Sequence, residues 1–143
     1  MEKERVQYQV KTALVCDDYR REDNGKDILI GIYNREAIFV SWPAGLPKLV
    51  FYTVVEGNDL ASKEFILRVV DDEGKQRVEI KGTLPETAKS FQVMNFQILG
   101  VGFKTETRLD FLFGINREPE LVASLQARLA NTDDERRRLS SRT

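Results

Sequence analysis

The chain contains no histidine among its 143 residues, and only one cysteine and one tryptophan. Without histidine it has no Ser-His-Asp or Cys-His pair, no His-ligated zinc and no HExxH helix. One cysteine excludes a four-cysteine zinc site, an iron–sulfur cluster or a disulfide within a single chain. Any catalysis would have to run on carboxylates, lysine, tyrosine or a hard metal ion held by oxygens. No apolar run approaches the ~20 residues that a membrane helix needs. The 22 basic and 23 acidic residues cancel to a net charge of −1, so no global field draws in nucleic acid or an anionic membrane. Met1-Glu-Lys-Glu-Arg5 lacks the apolar centre of a signal peptide. With the lone thiol, this points to a reducing cytoplasm.

What is present is a soluble, globular composition, 41% apolar and 31% charged. The length fits one domain, and a domain of this size buries about two thirds of the surface that its unfolded chain exposes. Most of the chain alternates with period two, the mark of strands. Tyr8, Val10, Thr12, Leu14 and Cys16 share one face of a first strand. Asp27 to Tyr33 is apolar on both faces and reads as a central, buried strand, with Gly31 marking a bulge or close approach. Ala37 to Val40 is a further short strand. Trp42-Pro-Ala-Gly-Leu-Pro47 interrupts the pattern, because proline removes ladder donors. Leu49 to Val55 and Phe65 to Val69 follow as strands. Asp71-Asp-Glu-Gly-Lys75 is a hairpin loop, with Gly74 placed for a left-handed position. Val78 and Ile80 belong to its return strand. Phe91 to Leu99 is strand-like, and Gly100 and Gly102 signal a tight reversal. In the next run Phe103, Thr105, Thr107, Leu109, Phe111 and Phe113 alternate with Lys104, Glu106, Arg108 and Asp110. One face of that run must be dry and the other wet.

Seven or eight strands with turn signals between them and no intervening helices predict an all-β chain. The expected fold is an antiparallel β-sandwich over residues 1–115, immunoglobulin-like first and C2-like or jelly-roll second. At 116–131 the reading changes to a short C-terminal amphipathic helix. Asn116 is its cap, Pro119 lies in its first turn, and Leu121, Val122, Leu125 and Leu129 form a stripe. This helix would either dock on the sandwich or pair with a second copy. Residues 132–143 form a charged tail, expected to be flexible.

The densest signal is Cys16-Asp-Asp-Tyr-Arg-Arg-Glu-Asp-Asn-Gly-Lys-Asp-Ile-Leu-Ile-Gly-Ile-Tyr33. Its Cys-Asp-Asp-x-Arg, Gly-Lys and Leu-Ile-Gly-x-Tyr elements resemble a family of small bacterial proteins of unknown function. The likeness covers about the first third of the chain, with a fainter match from Trp42 to Tyr52. Because that family has no assigned activity, the resemblance implies a fold and no mechanism.

Several clusters are candidate sites. Asp17, Asp18, Glu22 and Asp23 form an acidic block that either binds a cation or a partner, or pairs internally with Arg20, Arg21 and Lys26. An EF-hand reading fails, since aligning Gly25 with the loop glycine puts Arg20 at the first ligand position. Cys16 beside two aspartates is a poor nucleophile, because neighbouring negative charge raises a thiol pKa; the expectation is a buried small side chain. Tyr33, Trp42, Phe51 and Tyr52 form a core or, at Trp42, an exposed edge able to take a sugar or peptide. Arg136-Arg-Arg138 with Arg142 is basic but follows Asp133-Asp-Glu135 and has no interleaved aromatic, so a salt-bridged helix with Asp134 and Arg138 one turn apart is favoured over nucleic-acid binding.

The reading is therefore a non-catalytic protein-interaction or scaffold module of a bacterial cytoplasm. It would meet a protein partner or a second copy through strand edges, end loops or the terminal helix, with Asp17, Asp18, Arg20, Glu22, Asp23 and Trp42 as contact candidates. No catalytic residue, cofactor, metal or membrane contact is expected. A carbohydrate- or small-ligand-binding domain using Trp42, and a carboxylate-based metal-dependent hydrolase, are the alternatives.

Overall fold

The computed structural model describes residues 6–140, so the Met1–Arg5 and Arg142 readings lie outside the described residues. Two sheets face each other. One holds β1 (Tyr8–Arg21), β2 (Asp27–Ile32), β4 (Ala44–Gly57) and β7 (Phe91–Phe103) in the order β2-β1-β4-β7. The other holds β3 (Glu36–Phe39), β5 (Glu64–Asp71), β6 (Gln76–Thr83), β8 (Thr107–Ile115) and β9 (Glu120–Leu129) in the order β3-β9-β8-β5-β6. All pairings are antiparallel except β3 with β9. The expected all-β sandwich is what the chain forms.

The core lies between the sheets and is built from the alternation in the sequence. Leu49, Phe51 and Val55 of β4 meet Met94, Phe96 and Ile98 of β7 and Leu109, Phe111 and Phe113 of β8. Phe51 stacks on Phe111 with centroids 5.5 Å apart and planes 13° apart. Phe96 lies 6.1 Å from Phe51 and meets Phe65 edge-on at 5.6 Å. On β8, buried Thr107, Leu109, Phe111 and Phe113 alternate with outward Arg108, Asp110 and Leu112, as read from the sequence. The Asp71–Lys75 hairpin has Gly74 at φ 81°. Asp71 is buried there and accepts the Glu73 and Lys75 amides at 3.0 and 2.9 Å and Arg77 Nε at 2.9 Å. The Arg77 guanidinium, then the Lys75 amide, hold the Asp71 carboxyl below its ordinary value.

Four expectations are corrected. First, 120–129 is the strand β9 and not a helix: Leu125 and Ala127 are buried, while Leu121 stays exposed. The leucines at 121, 125 and 129 are four residues apart, a spacing that fits both a 3.6 and a 2.0 period. A shift in the β8–β9 ladder between Ala123 and Leu121 turns Leu121 off the face that Leu125 shares with Ala127. The ladders of β8 and β3 on either side decide for strand. Second, the C-terminal helix lies further along the chain than expected, as α1 (Asp133–Ser140) within the charged segment. Thr132 Oγ1 caps it by accepting the Glu135 amide at 3.1 Å. Glu135 in turn binds Arg128 at 2.8 Å, and Arg138 meets Asp134 at 2.9 Å one turn apart. Third, the glycines at 100 and 102 do not reverse the chain. Gly100, at φ 69°, lets β7 change face and run on to Phe103. Fourth, β1 carries a bulge between Val10 and Thr12. Tyr8 and Val10 face the core before it, and Ala13 and Val15 after it. Leu14 and Cys16 therefore turn away from the core, where Cys16 is nonetheless fully buried and burial raises its thiol pKa.

Candidate functional site

The charged block and the isoleucine-rich segment after it form one hairpin, β1–β2. Its ladder runs from Cys16↔Ile32 to Arg21↔Asp27. The tip closes with Gly25 N donating to Glu22 O at 2.9 Å and Lys26 N donating to Asn24 Oδ1 at 3.0 Å, with Gly25 at φ 86°. A strand rises about 3.3 Å per residue and alternates its faces. Asp17 and Asp18 therefore point to opposite sides, and Glu22 and Asp23 sit exposed at the far tip. Among the described residues, no group of three or more Cys, Asp or Glu side chains is gathered to hold a metal ion.

The inner acids are engaged. Asp17 accepts the Tyr33 hydroxyl. Asp18 accepts the Lys48 ammonium, Arg20 Nε at 3.2 Å and the Tyr19 amide at 2.9 Å. The Lys48 bond, then the Arg20 bond, pull the Asp18 carboxyl down to about 2. Such a group stays ionised and serves as an acceptor rather than as a proton donor.

Sequence reading passed over the more organised cluster beside this block. Asp27, at the start of β2, accepts the Tyr19 hydroxyl at 2.7 Å and the Tyr52 hydroxyl at 3.1 Å, with Arg21 Nε at 3.5 Å. The two tyrosine rings lie 6.1 Å apart. Burial alone would raise the Asp27 pKa, but the two hydroxyls and Arg21 outweigh it, and the carboxyl ends below its ordinary value. Burial and then the bond to Asp27 push Tyr52 up to about 12. Tyr52 belongs to the side of β4 that faces away from the core, so this cluster clasps the hairpin to the outer surface of the four-stranded sheet. No local signal reveals it, because Tyr52 is 25 residues from Asp27.

Gly31 is the joint of the hairpin. Its φ is 68°, and a Cβ there would sit 2.9 Å from the Asp17 carboxyl carbon. Gly31→Ala is expected to cost about 1–2 kcal/mol from the left-handed conformation alone, with the loss confined to the hairpin. Hydrogen exchange should show faster amides across β2 and the second half of β1 while β4 and β8 keep their protection. Equal loosening of all four strands would refute this.

The hairpin also carries the largest departure from the sequence reading. β2 is an edge strand, not a central one. Asp27 and Leu29 are half-buried, while Ile28, Ile30 and Ile32 are 37, 44 and 53% exposed. The central, fully buried strand is β4, where Leu49 to Val55 are buried without a break. Trp42 is half-buried away from the hairpin. It lies 5.9 Å from Phe39, which packs 5.6 Å from Phe103, so its ring extends the core. The structure thus brings Asp17, Asp18 and Arg20 together in one hairpin with Glu22 and Asp23 at its tip, and leaves Trp42 apart. None of these six lines the cleft of about 620 Å³ that opens between β1 and β9, whose walls include Val15, Tyr33, Arg35, Leu121 and Leu125. Among the described residues, no helix is long and apolar enough to cross a membrane.

One family model matches the chain, over residues 11–128; its description is a family of unknown function (DUF6941). No curated protein matches.

Proposed function

The chain belongs to that family of unknown function, and from this premise we propose that it is a non-catalytic protein-interaction module whose binding element is the β1–β2 hairpin. The observation that carries the reading is the row of exposed isoleucines on β2. Water-facing edge strands are usually protected by charge or proline, whereas this one presents three large apolar side chains beside an ionic network. An apolar centre with a charged rim is the composition of a protein-binding patch. The charged rim is held in place by bonds that are internal to the hairpin and to Lys48.

The strand order supports an immunoglobulin-like reading of the sandwich. β1, β4 and β7 take the places of strands A, B and E, and β5, β6, β8 and β9 those of C, C′, F and G. β3, parallel to β9, carries the chain from the first sheet onto the second. In this frame β2 is an insertion into that crossing, and insertions on a rigid scaffold are where binding residues concentrate. The lone thiol, buried in the fold, supports the reading of a reducing, cytoplasmic setting, and the family resemblance supports that of a bacterial source.

A photo-reactive residue in place of Ile30 is expected, on irradiation in the source cells, to give a discrete heavier adduct with a different protein. The same residue in place of exposed Glu79 on β6 should give none. Adduct loss in the Ile28→Lys, Ile30→Lys double variant would follow. An Ile30 position that captures no more than Glu79 does would defeat the reading.

A further inference from the structure

We propose that the free edge of β7 is the pairing surface for a second copy of this chain, joining two four-stranded sheets into one continuous eight-stranded sheet. Among the described residues nothing pairs with the outer side of β7. Phe91-Gln-Val-Met-Asn-Phe-Gln-Ile-Leu-Gly-Val-Gly-Phe103 contains no charged residue and no proline. One edge strand of the other sheet, β6, differs sharply: it carries Arg77, Glu79 and Lys81. An unpaired strand without charge, proline or cover is a template for another strand, and strand addition to such an edge is an established mode of recognition.

The backbone indicates the register. Ser90 O accepts Gly57 N at 2.8 Å, and Gly57 stands one step beyond the Glu56↔Phe91 pair. Even-numbered residues of β7 therefore direct their N–H and C=O groups to β4, and in an antiparallel ladder the alternate residues direct theirs outward. The groups that face the open side belong to Phe91, Val93, Asn95, Gln97 and Leu99. This window is closed at one end by the turn before Phe91 and at the other by Gly100, whose positive φ turns the strand.

The window is complementary to itself. Its two exposed apolar side chains, Phe91 at 52% and Leu99 at 74%, each lie four residues from Asn95. An antiparallel pair on a two-fold axis through Asn95 sets Phe91 of each copy opposite Leu99 of the other, and Val93 opposite Gln97. All outward backbone groups are then paired, both exposed apolar residues find a cross-strand partner, and no like charges meet. This surface is separate from the β1–β2 hairpin, since β7 and β2 are opposite edges of the same sheet.

The wild-type chain is expected to elute in multi-angle light scattering at twice its 16.4 kDa. Asn95→Lys puts two ammonium groups face to face on the axis and should raise the dimer dissociation constant at least about tenfold. Asn95→Cys, treated with a short bis-maleimide, should give a covalent dimer, because Cys16 is fully buried and silent. A monomeric wild type overturns the proposal, as does a dimer untouched by Asn95→Lys. Should Asn95→Lys fail to fold, the Asn95→Cys cross-link decides alone, and its absence overturns the proposal.

Discussion

Phe111→Ala is expected to lower the stability of the chain by about 3–5 kcal/mol, the range for removing a buried phenylalanine ring. That is a large fraction of the roughly 5–15 kcal/mol that holds a typical domain together. Phe111 is fully buried on β8, at the midpoint between the sheets, and its ring stacks on Phe51 at 5.5 Å. Phe51 also lies 6.5 Å from Phe113 and 6.1 Å from Phe96. Truncating Phe111 therefore opens a cavity against the most densely aromatic part of the core, where backbone ladders on both strands prevent collapse. Urea denaturation followed by the fluorescence of Trp42, which packs on the rim of this core, should show a lower midpoint at constant m. Phe111→Leu keeps most of the volume and should cost less than half as much. Leu121→Ala, on an exposed side chain of β9, should stay within about 0.5 kcal/mol. If Phe111→Ala were as mild as Leu121→Ala, the two sheets would not be packed as described.

The second large effect belongs to the clasp under the hairpin. Asp27→Ala removes the acceptor of two tyrosine hydroxyls and the partner of Arg21. Hydrogen bonds to a charged group are worth about 1.5–3 kcal/mol. A net loss of about 2–3 kcal/mol is expected, seen as a fall of roughly 10 °C in the melting midpoint. The clasp also sets the pH range of stability. Asp27 has its folded pKa below the ordinary value of 3.8. Its contribution is therefore complete above pH 3.8 and is lost as pH falls through the folded value. Tyr52 has its folded pKa raised from 10.0 to about 12. Its contribution is complete below pH 10 and is lost as pH rises toward about 12. Tyr19 is raised as well, by its bond to Asp27 and by burial. The wild type should thus lose stability at both ends, and Tyr52→Phe should remove much of the alkaline loss while leaving the acid limb to Asp27 and Asp18. An alkaline limb unchanged in Tyr52→Phe would show that the clasp does not form.

Strand structure was legible wherever alternation was strong and unambiguous. β8 reads directly from Thr107, Leu109, Phe111 and Phe113, and the turn at Gly74 from its position in an acidic loop. β9 was not legible, because leucines four apart satisfy a helix and a strand equally and only the neighbouring strands choose between them. The inward face of β1 is not legible from Thr12 onward, because a bulge inserts one residue and reverses every face after it. The acidic block was recognised as a unit, but not the roles within it. Lys48 and Tyr52 come from β4, and a carboxylate cannot announce a partner that lies 25 or 30 residues away.

By itself the sequence determined the class of the fold and its chemical limits. Alternating side chains commit most of the chain to strands that bury one face, and the missing histidine with a single cysteine removes whole groups of reactions whatever the fold. The tertiary structure decided which strands stand at the centre and which at the edge. A run such as Asp27 to Ile32 is apolar on both faces in either place, and what makes it an edge is the absence of a second neighbour in the described sheet. Exposure is a property of what lies alongside, which is why the isoleucines of β2 and the bare edge of β7 emerge only once the strands are put in order.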